Sequence, residues 1–141
     1  MAGPALKQLH AHRAIHDASL GGAEDHVADM KIMLNKMEHK ELAEEMQSFI
    51  EYVEQRILTH ADSEEEESGL YEETVRNNPD MHDKIQHLTR DHDLMRIMID
   101  KMKEELAKDE VDFQKLVDYS VSIVIVDEIH SRDEEAFLLS E

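Results

Sequence analysis

The residues of this chain that could do chemistry are its histidines and its excess of carboxylates. The 141-residue sequence contains 34 Asp and Glu residues, 10 His and no Cys. Without cysteine, disulfides, thiolate metal sites and cysteine nucleophiles are excluded. Imidazole and carboxylate groups together are common ligands of transition metals. The composition therefore predicts a metal site of His and acidic side chains, and the alternative is a scatter of exposed histidines.

Two His-x-x-x-Glu pairs, His60 with Glu64 and His130 with Glu134, are the first candidate ligands. On a helix, residues four apart share a face, so the imidazole can bind one metal while the carboxylate reaches a second. Both pairs continue the apolar stripes of their helices, where the pattern calls for buried residues. Because an unpaired buried imidazole or carboxylate is costly, this register favours convergence on a metal over two solvated helix ends.

A third candidate, His92, comes from the next predicted helix. His92 continues an apolar stripe of that helix. His87 lies five positions earlier, about 140° away around the helix axis, and the two imidazoles cannot easily serve one metal. We therefore expect His92 to be a ligand and His87 to face solvent.

The first predicted helix offers two alternatives. His12 and His16 form a His-x-x-x-His pair, and His26 follows ten residues after His16. In an antiparallel hairpin, residues at one level are equidistant from the turn, which places His16 level with His60. This argument favours His12 and His16. His26 stays an alternative because a methionine stripe continues from it.

Long helices are predicted because the chain has only four Gly and two Pro. Helical patterns cover residues 4–37, 41–66 and 79–107, and a fourth begins near 109 or 112 and includes Phe137. The short connections between these helices predict an antiparallel, up-down-up-down four-helix bundle. The length suits a single domain over residues 1–141.

Three details of the pattern allow a second interpretation. Gly21 and Gly22 predict a kink or break in the first helix. Residues 121–126 could form a β-strand, but a lone strand would have no partner, so a buried helical turn is preferred. Residues 29–37 resemble residues 94–102, which indicates either two similar helical hairpins or a coincidence between amphipathic helices.

The formal net charge of −19 narrows the choice of partners. Such an acidic surface repels phosphate backbones and anionic membranes, so neither nucleic acid nor a membrane is expected as a partner. No apolar run approaches the roughly 18 residues of a membrane span, and the first residues lack a secretory pattern. We expect a soluble, cytoplasmic protein that is a monomer or a weak homodimer.

Taken together, three segments resemble the hemerythrin-like (HHE) cation-binding domains: residues 60–71, 88–95 and 129–138. The resemblance covers nearly the whole chain, and it implies a four-helix bundle that holds a non-haem di-iron centre. It implies five imidazoles and two bridging carboxylates as ligands, here His12, His16, His60, His92, His130, Glu64 and Glu134. One feature departs from the well-known hemerythrins, which carry the His-x-x-x-His pair on the third helix rather than the first.

This ligand set predicts a function by counting coordination positions. Five imidazoles, two bridging carboxylates and one oxo or hydroxo bridge leave one position of two octahedral irons open. An open position predicts a protein that binds or senses O2, nitric oxide or peroxide, or that handles iron. Because the pattern places no base nearby, binding is favoured over turnover. The alternatives are a di-iron oxidase, peroxidase or nitric oxide reductase, and a metal-free acidic bundle that docks on basic partners.

Overall fold

The computed structural model describes residues 9–138, and this part of the chain is helical throughout, without a β-strand. Its α-helices are α1 (Leu9–Asn35), α2 (His39–Tyr52), α3 (Thr59–Glu65), α4 (Leu70–Asn77), α5 (His82–Leu106) and α6 (Phe113–Leu138). A π-helical segment, Val53–Leu58, joins α2 to α3, and a 3-10 turn, Pro79–Met81, leads into α5. The predicted all-α class is confirmed. The helical interpretation of residues 121–126 is also confirmed, because they lie inside α6.

Four long helical units surround the main hydrophobic core. We call α2, the π-helical segment and α3 together the second helical unit. Helix α1 packs against α2 and α6, and α5 packs against α6 and α2. All four units contribute fully or almost fully buried side chains, such as Met30, Phe49, Ile99 and Ile123. Each such side chain contributes about 1.5–3 kcal/mol by leaving water, so the apolar stripes hold the four units together.

Helix α4 was not predicted from the sequence. It packs against α5 through a second, smaller apolar cluster formed by Leu70, Tyr71, Ile85 and Leu88. Gly69 precedes α4, and a Cβ at this position would lie only 2.7 Å from the carbonyl oxygen of Ser63. The glycine therefore lets the chain fold back closely over the end of α3.

The second helical unit is also not the plain α-helix that the sequence predicts. The backbone N–H of Thr59 donates to the carbonyl of Glu54, five residues earlier, and the Thr59 hydroxyl donates to the same oxygen at 2.9 Å. A π-helical turn holds more residues than an α-helical turn and shifts the rotation of everything that follows. The π-helical segment therefore helps to set where His60 and Glu64 point.

The predicted break at Gly21 and Gly22 is wrong, because α1 continues through both residues. Gly22 instead makes room for Tyr52. A Cβ on Gly22 would lie 2.0 Å from the Tyr52 hydroxyl oxygen, whereas a Cβ on Gly21 would have no neighbour within 4 Å. The Tyr52 hydroxyl donates to the carbonyl of Ser19 at 2.9 Å. Gly22 thus permits a close approach between α1 and the second helical unit.

The different surroundings of Gly21 and Gly22 predict opposite effects of the same substitution on stability. Gly22→Ala should lower the free energy of unfolding by about 1–3 kcal/mol, because the new methyl group displaces Tyr52. Gly21→Ala should raise the free energy of unfolding by up to about 1 kcal/mol, because alanine favours the helix and meets no obstacle. Urea denaturation of both variants measures the two changes. Equal effects of the two substitutions would contradict this account of Gly22.

Candidate metal centre

All seven side chains predicted as ligands lie together between the four helical units. Their donor atoms form two overlapping groups, each with atoms within 4.8 Å of one another. The first group consists of His12, His16, His60, Glu64 and Glu134, and the second of Glu64, His92, His130 and Glu134. Six of the seven side chains are buried, and that of His60 is 15% exposed. The cluster thus contains three imidazoles on one side, two on the other and two shared carboxylates.

Glu64 directs one oxygen toward each group of imidazoles. Its Oε2 lies 3.2 Å from His12 Nε2 and 3.5 Å from His60 Nε2. Its Oε1 lies 3.3 Å from His92 Nε2, on the other side of the cluster. Since the two oxygens of one carboxylate serve different groups, Glu64 has the orientation of a bridging ligand.

Glu134 repeats this arrangement from α6. Its Oε1 lies 2.6 Å from His12 Nε2 and 3.4 Å from His16 Nε2, in the group of three imidazoles. Its Oε2 lies 3.1 Å from His130 Nε2, in the group of two. Two carboxylates therefore span the same pair of positions.

The carboxylate oxygens and imidazole nitrogens of the cluster are placed as ligands of a bound cation would be. Both oxygens of Glu64 and Oε1 of Glu134 are buried without a hydrogen-bond partner. A metal–nitrogen distance of about 2.1 Å would place neighbouring ligands about 3.0 Å apart. His92 Nε2 and His130 Nε2 are 3.0 Å apart, and His12 Nε2 and His60 Nε2 are 3.2 Å apart. The residues present could therefore hold a metal ion.

Two outer carboxylates orient the imidazoles of the second group. His92 Nδ1 lies 2.6 Å from Glu65 Oε2, and His130 Nδ1 lies 3.0 Å from Asp91 Oδ2. Arg96 holds Glu65 in turn, with Nη2 donating to Oε2 at 2.8 Å. Metal-binding histidines usually donate their second ring N–H to such a group, which aims the other nitrogen at the metal. Sequence reasoning missed these partners, because they come from neighbouring helices.

Tyr71 on α4 covers another side of the cluster. Its ring stacks on that of His92 with centroids 5.6 Å apart and planes 3° apart, and its hydroxyl donates to Glu134 Oε2. Burial, together with the charges of Glu64 and Glu134, holds the pKa of Tyr71 well above its ordinary value. The phenol thus stays a hydrogen-bond donor. Its role could not be predicted, since α4 itself was not predicted.

Charges within the cluster favour protonated imidazoles when no metal is bound. Burial lowers the pKa of His12, but Glu134 and Glu64 outweigh it and raise that pKa to about 10. Burial also lowers the pKa of His130, but Asp91 and Glu134 outweigh it and raise that pKa to about 10. Burial raises the pKa of Glu134, but the contacts with Glu64 and with the imidazoles of His12 and His130 outweigh it and hold that pKa well below its ordinary value. Protons therefore supply positive charge where a metal would supply it.

The other candidate histidines lie outside the cluster. His26 Nδ1 pairs with Glu45, and its ring contacts those of Phe49 and Tyr52. His87 is exposed on α5. The structure thus brings His12 and His16 to the cluster from α1 and leaves His26 elsewhere on the same helix.

A small cavity adjoins the imidazoles of both groups. Its volume of about 10 Å³ for the centre of a water-sized molecule leaves room for about one such molecule. The lining residues are Ile15, His16, Ser19, Arg56, Ile57, His60, His92, Met95, Asp127 and His130. Asp127 is only 6% exposed, and burial raises its pKa although the surrounding imidazoles lower it. The expectation that no base lies near the centre is therefore wrong.

The fold and the site define a helical bundle with a buried His and Glu cluster that could hold metal. Comparisons with protein-family models, curated proteins and solved structures find no significant match. Among the helices of residues 9–138, none has the length and apolar character needed to cross a membrane.

Proposed function

We propose that this protein is a hemerythrin-like di-iron protein that binds or senses O2, nitric oxide or peroxide. One observation carries the proposal, namely that Glu64 and Glu134 each direct one oxygen to each group of imidazoles. Two carboxylates in this orientation suit two metal ions rather than one. Iron accepts imidazole and carboxylate ligands together.

In this proposal the imidazoles divide unequally between the two irons. His12, His16 and His60 would hold one iron, and His92 and His130 would hold the other, with Glu64 and Glu134 shared. An iron held by His92 and His130 would have one protein ligand fewer, so it would be the one to bind an exchangeable ligand. When bound, the irons would supply that exchangeable position and the capacity for electron transfer to a ligand, with an oxo or hydroxo group completing the bridge.

The surrounding residues have distinct tasks. Glu65 and Asp91 hold the imidazoles of His92 and His130 by their Nδ1 atoms, so that each Nε2 stays directed inward. Tyr71 donates to Glu134 and shields the cluster from solvent. These contacts pre-organise the ligands and restrict access of water.

We also infer the up-down-up-down topology of the bundle. Three contacts support an antiparallel arrangement of α1 and the second helical unit: His12 with His60, Ser19 with Tyr52, and His26 with Glu45. As the residue number rises along α1, the residue number of the partner falls, which is the pattern of two antiparallel helices. This is the relation that the sequence argument used to place His16 level with His60.

A di-iron oxidase or peroxidase is the second candidate function. The observation that favours it is Asp127, a buried acid that lines the same cavity as four of the imidazoles. Such a group can exchange protons with a bound ligand, which turnover requires and simple binding does not. A metal-free acidic bundle fits less well, because a docking role for the acidic surface does not account for five imidazoles and two carboxylates gathered in the interior, where burying charged groups is costly.

Elemental analysis tests the proposal, with His16→Ala and His26→Ala as a matched pair. The wild-type protein, expressed in iron-rich medium, should contain about two irons per chain, and aerobic samples should absorb in the near ultraviolet. His26→Ala should keep both irons, because His26 pairs with Glu45 outside the cluster. His16→Ala should lose at least one. Fewer than one transition metal per wild-type chain would refute the di-iron assignment.

A further inference from the structure

The cavity beside the cluster lies on the side of the hydrophobic core. Ile57 and Asp127 each precede a cluster histidine by three residues, so they lie about one helical turn closer to the centre of the bundle. Met95 follows His92 by three residues on α5 and lines the same space. A molecule in this cavity would touch imidazoles of both groups, which makes the cavity the place for a ligand of the centre.

Asp127 supplies the one carboxyl group of this lining. Within residues 9–138 it forms no hydrogen bond or ion pair, and the charges that act on it are those of the imidazoles of His16, His60, His92 and His130. A carboxyl group that is only 6% exposed and has no hydrogen bond within these residues loses most of its hydration, at a cost in free energy. A small polar molecule in the cavity would offset that cost.

We propose that the cavity binds a small protic molecule of the hydrogen peroxide class and that Asp127 is its specificity determinant. This inference rests on the proposed di-iron function. A carboxyl group accepts a hydrogen bond when ionised and can donate one when neutral, so it pairs with a protic ligand in either state. Nitric oxide offers no proton to donate and gains little from this contact. Asp127 therefore favours peroxide over diatomic gases.

Two other polar side chains of the lining also suit a protic ligand. Arg56, which is exposed, lines the cavity together with Ser19. Both are polar groups that can hydrogen-bond to an entering protic molecule. In contrast, the inner wall contains the apolar side chains of Ile57 and Met95. The lining therefore offers two polar side chains and one carboxyl group to a small polar molecule.

The test compares Asp127→Leu and Asp127→Asn with Glu128→Gln in the iron-loaded protein. Leucine keeps the shape of aspartate without its hydrogen bonds, asparagine keeps hydrogen bonding, and Glu128 is an exposed neighbour on α6. Asp127→Leu should weaken binding of hydrogen peroxide to the oxidised form by about tenfold, the equivalent of one lost hydrogen bond. Nitric oxide binding to the reduced form should change by less than about threefold. Asp127→Asn and Glu128→Gln should bind peroxide within about threefold of wild type.

Metal content and the stability of the iron-free protein supply independent readouts. All these variants should retain about two irons per chain, and iron-free Asp127→Leu should melt at a higher temperature than wild type, because an unpaired buried carboxyl group is gone. Asp127→Ala should show the same loss of peroxide affinity, which covers the case in which the leucine variant does not fold. A wild-type chain without iron would refute the proposed function and this inference together. Intact iron content with unchanged peroxide affinity, or an equal loss of nitric oxide affinity, would refute only the role of Asp127.

Discussion

Removing the metal should lower the melting temperature by more than about 10 °C at pH 8 and by several degrees less at pH 6. The proposed ligands come from all four helical units, so bound metal holds the bundle closed. Ligand binding to the folded state alone adds several kcal/mol of stability at saturating concentration. For a domain of this size, each kcal/mol shifts the melting temperature by about 2–4 °C.

The pH dependence follows from the imidazoles of His12 and His130. In the metal-free protein their pKa values are raised to about 10, so both carry protons at pH 6 and at pH 8. Metal binding displaces these protons and becomes more favourable by about 1.4 kcal/mol per proton and pH unit as the pH rises. The stability that the protonated imidazoles give the metal-free form is complete below pH 6.5 and is lost as the pH rises through about 10. The displacement of these protons by metal and the loss of this stability are one proton linkage seen from two sides, and the difference between the two forms therefore widens as the pH rises.

Differential scanning calorimetry of iron-loaded and chelator-treated samples between pH 6 and pH 9 measures this difference. The chelated samples should first be shown to contain no iron. A melting temperature that chelation leaves unchanged at every pH would indicate that any bound metal lies on the surface. If the difference in melting temperature between iron-loaded and chelated protein became smaller as the pH rises, the imidazoles of the metal-free cluster would not be protonated as described.

Glu134→Gln should abolish the binding of both metal ions, while Glu135→Gln should leave both in place. Glu134 is fully buried and reaches both groups of imidazoles, and an amide lacks the negative charge and the second acceptor oxygen of a bridging carboxylate. Glu135, the next residue, instead pairs with Arg13, whose side chain is 56% exposed. The two substitutions make the same chemical change at adjacent positions of α6.

Metal content after purification, with circular dichroism as a control for folding, distinguishes the two variants. The expected values are fewer than about 0.5 iron per chain for Glu134→Gln and about two for Glu135→Gln. After chelation of any iron, the two variants should give similar helical signals in circular dichroism, because the hydrophobic core of the bundle does not include these side chains. A Glu134→Gln variant with two irons would show that this carboxylate does not bridge.

Apolar periodicity predicted the helical class and placed five of the clustered side chains on buried helix faces, whereas His12 and His16 were chosen because His16 lies level with His60. His60, Glu64, His130 and Glu134 stand at positions where an apolar stripe would otherwise continue, and the structure indeed brings them together with His92. Periodicity reports the face of a helix on which a residue lies. It does not report the local geometry of the backbone, which is why the π-helical segment was not foreseen and why the sequence left open whether the long first helix is interrupted at Gly21 and Gly22.

The sequence by itself thus determined which residues point inward, because burial follows the 3.6-residue period of each helix. Only the tertiary structure decided which of them meet. Glu65 reaches His92 across 27 positions of sequence and Asp91 reaches His130 across 39, and such pairs depend on the packing of whole helices. The placement of Tyr71 over the cluster and of Asp127 in the cavity has the same origin. Each is set by contacts between helices, which no local pattern of residues encodes.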